Sequence, residues 1–144
     1  MKIQILNKSK HGLPSYESIQ ASGLDLRANL DVPITLSSLD RIIVPTGLFL
    51  SMPAGVEAQV RARSGLAIKK GISLVNGIGT IDSDYRGEIG VLLVNLSSEE
   101  FTINDGDRIA QLVFCRYERI EWDEVISLDD TLRGDGGFGS SGIK

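Results

Sequence analysis

The sequence predicts an all-β fold, an antiparallel jelly-roll-like barrel or sandwich with one short helix and a glycine-rich C-terminal tail. Apolar and polar residues alternate with a period of two wherever a pattern is readable, as in half-buried strands. About ten such runs are separated by clusters of Gly, Pro, Asn, Asp and Ser, and the chain has no long amphipathic helical pattern. This combination is typical of sandwiches and jelly rolls.

The alternation locates the strands. Segment 24–30 places its leucines on one face and the polar residues Asp25, Arg27 and Asn29 on the other, and segment 56–63 repeats the pattern. Shorter apolar runs predict the remaining strands at 2–6, 41–44, 47–52, 72–75, 89–96, 109–115 and 120–127.

One segment departs from this period and predicts a short helix at 64–71. Ser64 is a favourable N-cap residue, Lys69 and Lys70 suit the last turn, and Gly71 suits the C-cap.

The C-terminal segment is set apart by glycine and has almost nothing apolar to pack. We therefore divide the chain into a β-barrel domain at 1–132 and a flexible glycine-rich lid at 133–144. In this lid Phe138 can stack on a planar base and Arg133 can meet terminal phosphate charge, while glycine lets backbone N–H groups turn onto an anion. The alternative is a tail that is only disordered.

Composition excludes several classes of function. The 144 residues carry a formal net charge of −4, which disfavours a protein that wraps a nucleic-acid backbone. One histidine and one cysteine, Cys115, argue against zinc sites, Ser/His/Asp triads and an intrachain disulfide. No run approaches the length of a membrane span, and the first residues lack a signal-peptide pattern. We expect one cytoplasmic domain with no membrane or nucleic-acid partner.

Two segments could bind an anion or a nucleoside. Arg63, Ser64 and Gly65 lie where a strand meets a helix, so a guanidinium, a hydroxyl and free N–H groups converge there. The alternative is a capping serine beside a solvated arginine. Weaker still is 106–111, where a turn precedes a strand and Gln111 can equally face solvent.

Segment 76–90 predicts a hairpin whose apolar arms are joined by a polar turn. Gly79 and Gly90 leave backbone bare for a flat ligand, and alternation sends Asp82 and Asp84 to one side as a general base or as ligands of a hard cation. The alternative is that both aspartates only form the turn.

Taken in order, these segments resemble the five motifs of the trimeric dUTP pyrophosphatase (dUTPase) family. The resemblance runs nearly from end to end and rests on the five segments in sequence with compatible spacing, although Asp135 and Ser141 depart slightly from the family pattern. The matching segments are 21–28 (Ala-Ser-Gly-Leu-Asp-Leu-Arg-Ala), 63–67 (Arg-Ser-Gly-Leu-Ala), 76–88, 106–112 and 133–142.

The resemblance implies hydrolysis of dUTP to dUMP and pyrophosphate with Mg²⁺, which limits uracil in DNA and supplies dUMP for thymidylate synthesis. It implies that Asp82 activates the water that attacks the α-phosphorus and that Asp25 reaches Mg²⁺ through water. The implied substrate-binding residues are Arg63, Ser64, Gly65 and Gln111 near the phosphates, Asn76, Gly79 and Gly90 at the uracil, Tyr85 at the deoxyribose, and Arg133, Phe138, Gly139, Ser140 and Ser141 in the lid.

The family's jelly-roll protomers form homotrimers with shared active sites, in which each site takes segments from three chains. Two rival functions remain. A dCTP-deaminating relative would carry a catalytic glutamate arrangement in the third segment, where this chain has Asp-Ser-Asp-Tyr-Arg-Gly at 82–87. A non-catalytic nucleotide-binding module would have no need of Asp82 beside the α-phosphate.

Overall fold

The computed structural model describes residues 1–137 and confirms an all-β fold with one short helix. Within this range there are eleven strands and a single helix. In chain order they are β1 Gln4–Asn7, β2 Leu24–Arg27, β3 Ile34–Leu36, β4 Arg41–Pro45, β5 Leu48–Ser51, β6 Val56–Arg61, α1 Ser64–Lys70, β7 Ile72–Leu74, β8 Ile78–Ile81, β9 Gly90–Asn95, β10 Phe101–Ile103 and β11 Arg108–Arg116.

The strands form small antiparallel sheets. Strands β2, β11, β6 and β8 lie side by side in that order, β4, β9 and β7 form a second sheet, and β1–β5 and β3–β10 are pairs. In residues 1–137 these sheets stay open and do not close into a barrel, so the jelly-roll description is matched only roughly.

The core lies between the sheets and follows the predicted alternation. In β6, Val56, Ala58 and Val60 are buried while the residues between them are half-buried. Leu26 of β2 and Ile109 of β11 are almost completely buried, and each such side chain contributes about 1.5–3 kcal/mol of burial free energy. Alternation along the chain therefore gives a continuous apolar core, and the residues between the buried ones face away from it.

The helix begins one residue earlier than the cap prediction requires. Arg63 is the extended N-cap residue and makes no side-chain capping bond, so Ser64 is the first helical residue and its predicted capping role is wrong. Gly71 is the C-cap with a left-handed φ of 67°, and its N–H donates to the Ala67 carbonyl at 2.9 Å. The predicted C-terminus of the helix is confirmed.

The arms of segment 76–90 do not pair with each other, so the predicted hairpin of paired strands is wrong. Strand β8 pairs with β6, whereas β9 pairs with β4 and β7 in another sheet. The polar turn between them is present, since the Tyr85 N–H donates to the Asp82 carbonyl at 3.1 Å.

Three further strand predictions are corrected. Strands β3 and β10 were not predicted; they pair with each other, and the Thr35 and Thr102 hydroxyls share a 2.8 Å hydrogen bond. Segment 120–127 forms no strand, and its Trp122 side chain is 92% exposed.

No helix in the described part of the chain has the length and apolar character to cross a membrane.

Candidate functional site

Two clefts collect most of the predicted site residues in 1–137, whereas Asn76, Gly79 and Arg133 line neither of them. The first, which we call the carboxylate cleft, has a volume of about 640 Å³ and lies where β2, α1 and the start of β11 meet. It brings together five predicted residues from three distant segments. These are Asp25, Arg63, Ser64, Gly65 and Gln111.

An ion-pair chain crosses the carboxylate cleft. The Asp25 carboxylate accepts from Arg63 Nε at Oδ1 and from Arg108 Nη1 at Oδ2, both at 3.0 Å. Arg63 Nη1 also donates to the Arg108 carbonyl at 3.0 Å, and Arg108 Nη1 lies 3.5 Å from Glu17 Oε1. The Asp25 side chain is only 15% exposed, so the two guanidinium groups compensate for the desolvation of its charge. They also fix the direction in which the carboxylate points.

Gln111 lies beside this ion pair because β11 pairs it with Asp25 on one side and with Arg61 of β6 on the other. Its Nε2 donates to the Ala62 carbonyl at 2.9 Å. Directly paired residues of antiparallel strands project to the same face. The register therefore places the amide next to the carboxylate.

Ser64 and Gly65 are exposed at the start of α1. Ser64 is not the N-cap residue, and the N–H groups of Leu66 and Ala67 both donate to the Arg63 carbonyl, at 3.1 and 3.0 Å. The hydroxyl thus remains available to a ligand in the cleft that Ser64 lines.

The second cleft, the nucleoside cleft, has a volume of about 280 Å³ and lies between the 82–88 turn and strands β4, β8 and β9. Asp82, Tyr85 and Gly90 line it, together with Thr80 and Ile43.

The turn that carries Asp82 is folded on itself. Tyr85 Oη donates to the Glu88 carbonyl at 3.1 Å, and Arg86 Nη1 donates to the Ser83 carbonyl at 2.7 Å. Glu88 Oε1 accepts from the Gly47 N–H at 2.6 Å, which ties the turn to the chain before β5. These bonds hold the Tyr85 side chain and brace the backbone of the turn on which Asp82 lies, beside the nucleoside cleft.

The two glycines of this region face protein neighbours. A methyl group on Gly90 would lie 2.7 Å from Ile43 Cγ2, and one on Gly79 would lie 3.3 Å from Val60 Cβ and 3.2 Å from Asn76 Nδ2. A side chain at Gly90 would therefore displace Ile43, and one at Gly79 would press on Asn76 and Val60. The alternation that placed Asp84 beside Asp82 ends at the turn, and only Asp82 lines the cleft.

The two clefts have no lining residue in common, so one chain does not bring Asp82 to Asp25 within a single cleft. Arg133 is exposed and lines neither cleft; its Nε donates to the Gly136 carbonyl at 2.8 Å. The predicted lid residues Phe138, Gly139, Ser140 and Ser141 lie outside the described residues.

Sequence reasoning missed three charged residues of the carboxylate cleft and one apolar wall of the nucleoside cleft. Lys69 and Lys70 carried a signal only for the end of a helix, whereas Glu17 and Ile43 carried none. Ile43 is 64% exposed on β4. Among residues 1–137 there is no cluster of three or more His, Cys, Asp or Glu side chains that could enclose a metal ion.

Comparison with known proteins gives a consistent result. The dUTPase family model matches residues 9–142. The chain is 56% identical over 142 residues to the deoxyuridine 5'-triphosphate nucleotidohydrolase of Finegoldia magna, with 99% of each chain covered. It is 54% identical over 140 residues to the enzyme of the same name from Cytophaga hutchinsonii, with 97% of this chain and 91% of the relative covered.

Solved structures agree on the fold. A mutant dUTPase of Staphylococcus bacteriophage 80alpha with dUpNHpp superposes with a TM-score of 0.89 at 23% identity, covering 99% of each chain. A mutant dUTPase from phage phi11 of S. aureus, described with a structural Mg(II) ion, gives 0.81 at 20% identity, with 90% of this chain and all of that chain covered.

Proposed function

Because the chain belongs to the dUTPase family and is a dUTP diphosphatase, we propose that it hydrolyses dUTP to dUMP and pyrophosphate by in-line attack of an Asp82-activated water on the α-phosphorus. The observation that carries this proposal is the convergence of Asp25, Ser64 and Gln111, from three distant segments, in one cleft lined by cations. A carboxylate, a hydroxyl, an amide and guanidinium groups are the donor set that a metal-bound triphosphate requires.

The nucleoside cleft supports a place for the base and the sugar at Gly90 and Tyr85, which line it, whereas Asn76 and Gly79 line neither cleft and take their proposed roles from the family resemblance. Asn76 and the backbone at Gly79 and Gly90 read the uracil edge, and Tyr85 lies against the deoxyribose. By the same proposal thymine is excluded by its 5-methyl group. An unpaired buried polar group costs about 1–3 kcal/mol, so cytosine is rejected by its reversed donor and acceptor pattern.

The carboxylate cleft takes the phosphates. Ser64 Oγ, the Gly65 backbone and Gln111 Nε2 donate to phosphate oxygens, and Arg63 keeps the surrounding charge positive while it holds Asp25. Asp82 accepts the proton of the attacking water at its carboxylate. The Tyr85–Glu88 and Arg86–Ser83 bonds brace the backbone of the turn that carries Asp82, which supports its role as an oriented general base.

The residues present fit Mg²⁺ bound through water. Asp25 is a single carboxylate whose two oxygens already accept from arginines, and the 1–137 range offers no three-ligand cluster. Mg²⁺ typically keeps several waters and is held by one or two carboxylates plus substrate phosphates. We therefore propose that Asp25 holds the ion through its water shell. The bound ion would neutralise phosphate charge.

The separation of the two clefts supports an active site that is shared between chains. We propose a homotrimer in which the carboxylate cleft of one chain meets the nucleoside cleft of a second, with residues 133–144 of a third as the lid. In that lid Arg133, Phe138, Gly139, Ser140 and Ser141 contact the substrate. By the same proposal the enzyme acts in the cytoplasm, limits uracil in DNA and supplies dUMP for thymidylate synthesis.

The test is a product assay with dUTP, dCTP, dTTP and UTP. We expect stoichiometric dUMP and pyrophosphate from dUTP with Mg²⁺, and little turnover of the other three nucleotides. Release of ammonia from dCTP would instead establish the deaminating alternative. Tight binding of dUTP without any product would establish the non-catalytic alternative.

A further inference from the structure

The orientation of the Gln111 amide is set by a single acceptor. Its Nε2 donates to the Ala62 carbonyl at 2.9 Å, which turns Oε1 away from β6 and toward the residue before β2, Gly23. An amide nitrogen carries two hydrogens. One is used by Ala62, and the second is left for the carboxylate cleft that Gln111 lines.

Gly23 provides the space in which this amide lies. A methyl group at Gly23 would overlap Gln111 Oε1 and lie 3.2 Å from Cδ and 3.5 Å from Cβ of the same side chain. All three of its nearest neighbours would thus be atoms of Gln111. The volume that any larger side chain needs at this position is the volume that the glutamine occupies.

The backbone gives no reason for glycine here. Gly23 is absent from the glycines with positive φ, which in residues 1–137 include Gly47, Gly55 and Gly71. Alanine can therefore adopt the conformation of Gly23 without strain. The obstruction is the far end of a flexible side chain, so alanine would displace the amide and leave the strand in place.

We propose that Gly23 is a positioning residue that aims the Gln111 amide at the phosphates of the substrate. The inference rests on the proposed function, in which Gln111 donates to a phosphate oxygen. Without a side chain at position 23, the Ala62 bond fixes the amide plane and the second N–H hydrogen points at one place in the cleft. Any side chain there breaks the Ala62 bond and redirects that hydrogen.

The first test is a double-mutant cycle on binding of a non-hydrolysable dUTP analogue. We expect Gly23→Ala to weaken binding about tenfold, as the loss of one hydrogen bond to a charged group does, and Gln111→Ala to weaken it as much or more. The double variant should bind no more weakly than Gln111→Ala alone. Gly12→Ala is the matched control, because Gly12 has open space around its Cβ position; it should bind as wild type. Effects that multiply in the double variant would overturn the proposal.

The second test needs no substrate. The side-chain NH₂ resonances of Gln111, assigned by their loss in Gln111→Ala, should shift in Gly23→Ala and exchange faster with solvent, with an unchanged melting temperature. They should not change in Gly12→Ala. Unchanged Gln111 resonances in Gly23→Ala would overturn the proposal. If the Gln111 resonances respond to Gly23→Ala as expected but the wild-type protein does not bind or hydrolyse dUTP, the proposed function is overturned instead.

Discussion

Asp82 stands apart from the other acidic side chain of its turn by its position. It lines the nucleoside cleft, whereas Asp84, two residues later, does not. Both residues are exposed in the single chain. Replacing each aspartate in turn by asparagine therefore distinguishes a catalytic role of the Asp82 carboxylate from an effect of the negative charge of the turn.

We expect Asp82→Asn to lower kcat by several orders of magnitude while the affinity for dUTP stays close to wild type. A general base acts on the water and contributes little to ground-state binding. Steady-state kinetics and analogue binding measure the two quantities. Asp84→Asn is the control and should retain most activity. Near-wild-type turnover in Asp82→Asn would remove it from the catalytic role.

Two variants of Tyr85 distinguish the contribution of its ring to sugar selection from that of its hydroxyl. The hydroxyl already donates to the Glu88 carbonyl at 3.1 Å, so the ring is the part left to press against the 2′ carbon. Tyr85→Ala should lower the ratio of kcat/KM for dUTP to that for UTP, and Tyr85→Phe should keep that ratio near wild type. If Tyr85→Ala leaves the ratio unchanged, discrimination between the sugars resides elsewhere.

At the level of single elements, the end of α1 is held by one glycine. Gly71 has a φ of 67°, and a methyl group there would lie 2.8 Å from Ser97 Cβ and 2.9 Å from the Ser97 nitrogen. Gly55 has a similar φ of 81° but open space around its Cβ position. Alanine at Gly55 therefore tests the backbone strain alone, whereas alanine at Gly71 tests the same strain together with steric overlap.

Gly55→Ala should lower the free energy of unfolding by about 1–2 kcal/mol, the usual cost of a left-handed residue with a side chain. Gly71→Ala should lower it further, because the backbone of Ser97 cannot move away as a side chain can. Urea unfolding measures both. Equal losses would show that Ser97 adapts without cost.

Asp105, in the turn before β11, joins the two loops on either side of β2. Its Oδ1 accepts from the Leu30 N–H at 2.8 Å and from His11 Nε2 at 3.1 Å. The backbone bond from Leu30 is the main reason that the pKa of Asp105 is lowered from 3.8, and the His11 interaction adds to it.

A lowered pKa means that the stabilisation from ionised Asp105 is complete above pH 3.8 and is lost as the pH falls through the lower folded-state value. The difference in urea midpoint between wild type and Asp105→Asn should therefore be constant above that pH and shrink below it. A difference that stays constant through the acid range would contradict this assignment.

For the whole molecule, the decisive question is whether one chain can form a site. The two clefts have no lining residue in common, and the proposed trimer joins them across chains. If the lid also comes from a different chain than the 82–88 turn, two inactive variants can complement each other.

We expect deletion of residues 133–144 to abolish activity, as Asp82→Asn does, and a mixture of the two refolded together to regain it. A working site takes its turn from the truncated chain and its lid from the other, each with a probability of one half, so about a quarter of the sites should work in a random mixture. Each variant refolded alone is the control. Mixed trimers verified by mass that stay inactive would exclude the shared site.

Local patterns were sufficient for much of the fold. Alternation in 24–30 and 56–63 predicted β2 and β6 with Leu26, Ala58 and Val60 in the core, because a period of two directly encodes which face is buried. Gly71 predicted the end of α1 because few other residues tolerate its φ. The dUTPase resemblance, carried by five ordered segments, is confirmed by the family match over 9–142.

Pairing partners and contacts between distant segments of the chain were not encoded locally. Segment 120–127 is as apolar as other strands yet pairs with nothing in residues 1–137, and β8 and β9 enter different sheets although one short turn joins them. Arg108 reaches Asp25 across 83 residues of sequence. A period reports the burial of a face, whereas register and ion pairing depend on which distant segment supplies the opposite atoms; only the folded chain brings Asp25, Arg63 and Gln111 into one cleft.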